Sequence, residues 1–171
     1  MNQTSRLAPQ VRPARPDDYA RVLEIWNPVI RHSTTIFHTE ERDGAALAAL
    51  VRQRRAAGRD FWVASDGGVV IGFASYDQFR GGDGYAHAME HTVIIAPEAQ
   101  GRGAGQMLMA VLERHAAQRG VHVMVAAIDA ENAAGRAFHA AIGYAETGYM
   151  PQVGRKFDRW LDLVIMQKML A

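Results

Sequence analysis

Cysteine is missing from all 171 residues. Its absence excludes disulfides, thiolate metal sites and a cysteine nucleophile, and it fits a reducing, cytoplasmic setting. Long apolar runs are missing as well: none approaches the roughly 20 residues that cross a bilayer, so no membrane role is expected. Nor is there an excess of one charge, since 19 basic residues meet 18 acidic ones for a formal net charge of +1. A nucleic-acid-binding domain usually carries a clear basic surplus, so nucleic acid is not an expected partner. Acids are absent from the first fifteen residues, which hold Arg6, Arg12 and Arg15. That is faintly the pattern of a transit peptide, but "VRPAR" at 11–15 already reads as strand. A short frayed tail over 1–9 and one domain over 10–171 are expected instead.

What is present alternates between strand and helix signals. Pro16 and Asp17 mark a helix start, and Val22, Leu23, Trp26 and Ile30 recur at helical spacing, with Pro28 disturbing the pattern. "DGAALAALVRQRRAAG" (43–58) predicts a helix with Asp43 as cap and Gly58 as stop. "FWVAS" and "VVIGFASY" around "DGG" predict a hairpin. A strand over 87–95 follows, then a helix over about 103–118 with Met107, Leu108, Val111, Leu112 and His115 on its apolar stripe. "VHVMVAAI" reads as a central strand, and "ENAAGRAFHAAIG" as a helix capped by Asn132 and closed by Gly143. The end reads as an antiparallel pair. The pattern predicts one mixed α/β (α+β) domain.

The stretch "APEAQGRGAGQML" (96–108) sets three glycines within five positions, between an apolar strand and a helix. First-turn amides have no backbone partner and the helix dipole favours negative charge there, so such a junction holds phosphate well. Glycine lets the backbone approach oxygens closely. A P-loop would need lysine and Ser/Thr after its last glycine, but Gln106 and Met107 follow Gly105. A dinucleotide fingerprint counted from Gly101 fails at its sixth place, Gln106. What remains is Gln100-Gly101-Arg102-Gly103-Ala104-Gly105, or Q-x-x-G-x-G.

That loop resembles the pyrophosphate loop of the GNAT superfamily of acetyl-CoA-dependent N-acetyltransferases. "FASYDQFRGGDGY", "EHTVIIAPEAQGRGAG", "HVMVAAIDAEN", "FHAAIGY" and "MPQVGRKFDRWLDLVIMQ" are further similar to one branch, the phosphinothricin acetyltransferases and methionine (L-amino acid) N-acyltransferases. The resemblance implies the GNAT fold, a mixed, mostly antiparallel splayed sheet flanked by helices, in a chain that forms homodimers. It implies that Val93, Ile94 and Ile95 pair their backbone with the pantetheine arm. Arg102, Gly103, Ala104, Gly105 and Gln106 would give amides to the pyrophosphate, and Asn132 would contact the cofactor besides capping its helix.

Acetyl transfer to an amine needs a base, a donor for the carbonyl oxygen and a proton for the leaving thiolate. By the resemblance Glu90 is the base, an acid in an otherwise uncharged strand whose burial would raise its pKa. His139 stands where many GNAT enzymes place a tyrosine that protonates the thiolate, Tyr144 is expected as a core ring, and the Ile94 amide is an oxyanion donor by analogy. No metal is expected: His87 and His91 in "HAMEH" share a strand face roughly 13 Å apart, too far for one ion. For the acceptor, Phe37 and the loop residues Phe79, Arg80, Asp83, Gly84 and Tyr85 match the region that receives the amino acid. Here the branch's "DGFRHTVEH" has become "DGYAHAMEH", with Ala86 for an arginine and Ala88 for a threonine, and "SVYV" has become "TVII". The expected reaction is acetylation, in a ternary complex, of the α-amine of a small amino acid or analogue: methionine sulfone, methionine sulfoximine or phosphinothricin. Its rivals are a peptide or protein N-acetyltransferase and a non-catalytic CoA-binding regulatory module.

Overall fold

The computed structural model describes residues 9–170; the expected frayed tail lies outside them except for Pro9. The elements run β1 (Gln10–Pro13), α1 (Tyr19–His32), α2 (Gly44–Ala56), β2 (Phe61–Asp66), β3 (Val69–Gln78), β4 (Ala88–Ile95), α3 (Ala104–Gln118), β5 (Val123–Asp129), α4 (Ala133–Ala141), β6 (Ala145–Lys156) and β7 (Arg159–Met169). Local chemistry sets most boundaries. A short 3-10 turn over Pro16–Asp18 leads into α1, and Pro28 lies inside α1 rather than ending it. Asp43 caps α2 by accepting from the Ala46 amide at 2.8 Å. Gly67 and Gly68, both at positive φ, make the β2–β3 turn.

One seven-stranded sheet has the order β1-β2-β3-β4-β5-β7-β6. Every pairing is antiparallel except β4 with β5. That parallel pairing is short: Ala88–Glu90 meet Val123–Val125, and then the strands part. β4 continues to Ile95 against β3, and β5 continues to Asp129 against β7. The sheet therefore splits into two halves that diverge beyond Glu90.

The two faces can be assigned from side-chain contacts. Tyr76 bonds His115 of α3 at 2.9 Å, whereas its neighbour Asp77 pairs with Arg54 of α2. Side chains alternate along a strand, so α3 covers one face and α1 with α2 the other. Trp26 of α1 packs on Phe61 and Phe73, with ring centroids 6.3 and 4.7 Å away, as the core of the α1/α2 face. On the opposite face α3 buries Ala104, Leu108, Met109, Leu112 and Ala116. Met107, expected on that stripe, is exposed instead. Leu108 and Leu112 of the expected stripe are buried, Val111 and His115 are half-buried, and Met109 and Ala116 join the buried face.

Candidate active site

The register of β3 with β4 sets Tyr76 opposite His91 and Asp77 opposite Glu90. His91 therefore points to the α3 face and Glu90 to the α1/α2 face. Glu90 is partly buried, has no hydrogen bond to the protein among the described residues, and has its pKa raised by burial alone. It stands at the last residue of β4 that still pairs with β5.

Beyond Glu90 the backbone parity of β4 decides what faces the opening. The Ala96 amide donates to Ile71 and the Phe79 amide to the Ala88 carbonyl, so even-numbered residues of β4 bond β3. Val93 and Ile95 turn their amides and carbonyls the other way, into the gap. Ile94 pairs with Phe73, and its backbone is committed to β3. This corrects the expectation for Ile94 both as a pantetheine-pairing residue and as an oxyanion donor. Its side chain is buried instead.

β4 ends at the glycine loop. Gly101 and Gly103 have φ of 71° and 83°, and Gly103 is the N-cap of α3. The first helical bond runs from the Met107 amide to the Gly103 carbonyl, and among the described residues no acceptor meets the amides of 101–106. Gly105 sits in a tightly packed place. A Cβ there would stand 3.2 Å from the Phe138 ring of α4 and 3.7 Å from Ile95. Arg102 ties the loop to the β2–β3 turn through Asp66 at 2.8 Å. This arrangement fits an extended, phosphate-bearing ligand laid between the sheet halves with its anion at α3. Asn132 caps α4, accepting from the Gly135 amide at 2.8 Å, and lines a cavity of about 440 Å³ with Thr34, Asp129, Phe157 and Arg159.

His139 is buried, and its surroundings fix its proton. Nδ1 lies 2.7 Å from the Gly135 carbonyl, which only accepts, so Nδ1 carries the hydrogen. Neutral His139 then accepts at Nε2, which lies 3.2 Å from Nε2 of His91. His91 must donate there, leaving its own buried Nδ1 bare and without a partner among the described residues. Burial first, and then the repulsion a protonated His139 would exert, push the His91 pKa down to about 3, and burial lowers that of His139. Both His139 nitrogens are thus committed, and the neutral ring has no spare proton for a thiolate. Tyr144 is a buried ring beside the pair, as expected.

The acceptor candidates come from two separate segments of the chain. Phe37 packs against β6 at Gly154, where a Cβ would stand 2.3 Å from its ring. Buried Lys156 holds the same α1–α2 loop, donating to the carbonyls of Ser33 (2.7 Å) and Ile36 (2.6 Å). Phe79, Arg80, Asp83, Gly84 and Tyr85 sit in the exposed β3–β4 loop, at the start of β4. Arg80 stacks over Tyr85 at 5.6 Å, and Gln78 braces the loop through the carbonyls of Arg80 and Gly82. Sequence reasoning missed Lys156, which carries no motif. It also missed the pairing of His91, which strand alternation would have placed on the α3 face. Among the described residues no group of three His, Cys, Asp or Glu is arranged to hold a metal ion.

The sequence model of the acetyltransferase (GNAT) family matches residues 20–144. The L-amino acid N-acyltransferase MnaT of Escherichia coli is 39% identical over 160 residues, covering 94% of this chain and 93% of that protein. The L-methionine sulfoximine/L-methionine sulfone acetyltransferase of Salmonella typhimurium is also 39% identical, covering 94% of each. Among solved structures, yncA of Salmonella typhimurium with its cofactor acetyl-CoA superposes with a TM-score of 0.92 at 38% identity, covering 96% of this chain and 95% of that one.

Proposed function

The chain belongs to the acetyltransferase (GNAT) family, and from that premise we propose that it moves acetyl from acetyl-CoA to the α-amine of a small amino acid or analogue. Methionine sulfone, methionine sulfoximine and phosphinothricin-like acceptors are the leading class. Acetyl-CoA supplies the activated acyl group as a thioester, and the chain's residues bind, orient and move protons. One observation carries the reading: the unpaired Glu90 carboxylate stands where β4 leaves β5, on a strand that ends at a helix with bare amides.

In this scheme the amides of Arg102, Gly103, Ala104, Gly105 and Gln106 hold the pyrophosphate, and Val93 and Ile95 pair with the pantetheine arm. Asn132 adds a contact from the start of α4. Glu90 takes the ammonium proton of the acceptor, directly or through a water, and its raised pKa makes it a stronger base than an exposed glutamate. Holding both substrates in one cleft supplies much of the acceleration. His139 acts mainly by fixing His91, since its neutral ring has no proton to give. Phe37 and the Phe79–Tyr85 loop border the acceptor from two sides. The chain is further proposed to work in the cytoplasm as a homodimer.

Thiol release from acetyl-CoA across free amino acids, their analogues and peptides tests this reading. Turnover is expected with methionine sulfone or sulfoximine, and Glu90→Gln should lower kcat by about 10²-fold or more while acetyl-CoA still binds. Turnover with peptides alone would replace the reading with a peptide acetyltransferase. Acetyl-CoA binding without turnover of any amine would leave a regulatory module.

A further inference from the structure

Among the described residues, the α1/α2 face holds three buried donors without a protein partner: Nε1 of Trp26, Nε of Arg42 and Nε of Arg54. These atoms are closed to solvent, so they mark a donor-rich face rather than contacts open to a ligand. Charge points the same way. Arg54 and Arg59 each take one oxygen of Asp77, so two cations share one carboxylate. Among the described residues Arg42 has no acidic partner; its guanidinium lies 4.7 Å from the Trp26 ring, and the residue is half-buried. It is near enough for its charge to be one of the influences lowering the Arg54 pKa, after burial as the main cause.

Arg42 is also held firmly. Both arms of the Asn27 amide grip its backbone, with Nδ2 donating to the Arg42 carbonyl at 2.9 Å and the Arg42 amide donating to Oδ1 at 3.0 Å. Its ring stacking fixes the side chain as well. A guanidinium held this way is prepared for a planar, two-oxygen anion. The register puts Glu90 on the same face as this cluster. Asp77, on which Arg54 is anchored, is the cross-strand partner of Glu90, and both side chains stand on this face.

An α-amino acid carries a carboxylate one carbon away from its amine. We propose that Arg42 and Arg54 form the subsite for the α-carboxylate of the acceptor, orienting its amine toward Glu90. The assignment rests on the amino-acid acetyltransferase reading and moves the carboxylate anchor away from Arg80. That residue is exposed, and its guanidinium is stacked on Tyr85.

The test compares L-methionine sulfone with its carboxamide, which keeps the amine and removes the negative charge. The wild type should favour the free acid in kcat/KM. Arg42→Gln should reduce that preference at least tenfold, the equivalent of about 1.4 kcal/mol, through a higher KM for the acid. Arg42→Lys keeps the charge but not the fork and should fall between the two. It also serves if Arg42→Gln folds poorly. Arg80→Gln, in the loop that borders the acceptor, should lower the acid-to-amide ratio less than Arg42→Gln does. An unchanged ratio in the Arg42 variants, or its collapse in Arg80→Gln, overturns the subsite while the acetyltransferase reading stands. A wild type that acetylates no free amino acid overturns both.

Discussion

His91 and Glu90 are sequence neighbours on opposite faces of one strand, and burial moves both away from ordinary titration in ways that differ in sign for stability. The neutral His91 fixes the hydrogen-bond chain through His139 to the Gly135 carbonyl. Its folded pKa of about 3 lies below the 6.5 of an unperturbed histidine, so the folded state binds fewer protons between those values. The stability from this pair is present above pH 6.5 and is lost as pH falls toward 3, at up to about 1.4 kcal/mol per pH unit. Glu90 acts oppositely, since its raised pKa makes the folded state bind more protons and lose stability as pH rises through the shifted range. Comparing variants separates the two. Urea unfolding between pH 7 and 4 should show the wild type losing stability more steeply than His91→Gln, which retains a side-chain donor toward His139. Parallel curves would show that the pair does not titrate as described.

At the scale of elements, the parts legible in the sequence were those with local chemistry. Asp43, Asn132 and the Gly67–Gly68 turn announced their caps and turn, and the glycine loop announced the helix start at α3 with its unpaired amides. The β6–β7 turn was harder to read, because Phe157 and Asp158 occupy positive φ without glycine or asparagine to signal it. Arg54 within "VRQRR" looks like a solvated helix face, and only the long-range pairing of β3 with β4 brings it to the side of Glu90. The same limit applied to Ile94, whose backbone direction follows from ladder parity rather than residue type. Gly105 combines both kinds of information. Its loop position suggested phosphate contact, and the fold adds that β4, α3 and α4 converge on its missing side chain. Gly105→Val should push Phe138 and Ile95 apart and tilt the first turn of α3. The expected result is a several-fold higher KM for acetyl-CoA and a loss of about 1–3 kcal/mol by overpacking, read by initial rates and thermal unfolding. Unaltered acetyl-CoA affinity would mean that the amides do not meet the cofactor.

Across the whole molecule, the two ends of the sheet are unlike. One edge is the four-residue β1, while the other is β6, twelve residues long and mostly exposed. Around that edge and its turn, Tyr149, Met150, Val153, Phe157 and Trp160 are all exposed. A long, apolar edge strand promotes association unless something covers it. The proposed homodimer would cover it with a second copy. This hairpin also holds the α1–α2 loop through Lys156 and Gly154, so covering it would stiffen the wall that carries Phe37. Assembly and acceptor binding should therefore change together. Trp160→Lys combined with Val153→Lys places two charges in the patch without touching Glu90 or the glycine loop. Light scattering should show the wild type at twice the chain mass and the variant at one, with the acceptor KM raised several-fold and that for acetyl-CoA little altered. A wild type that is monomeric at micromolar concentration would reject the dimer. A monomeric variant with an unchanged acceptor KM would keep the dimer but separate it from the acceptor site.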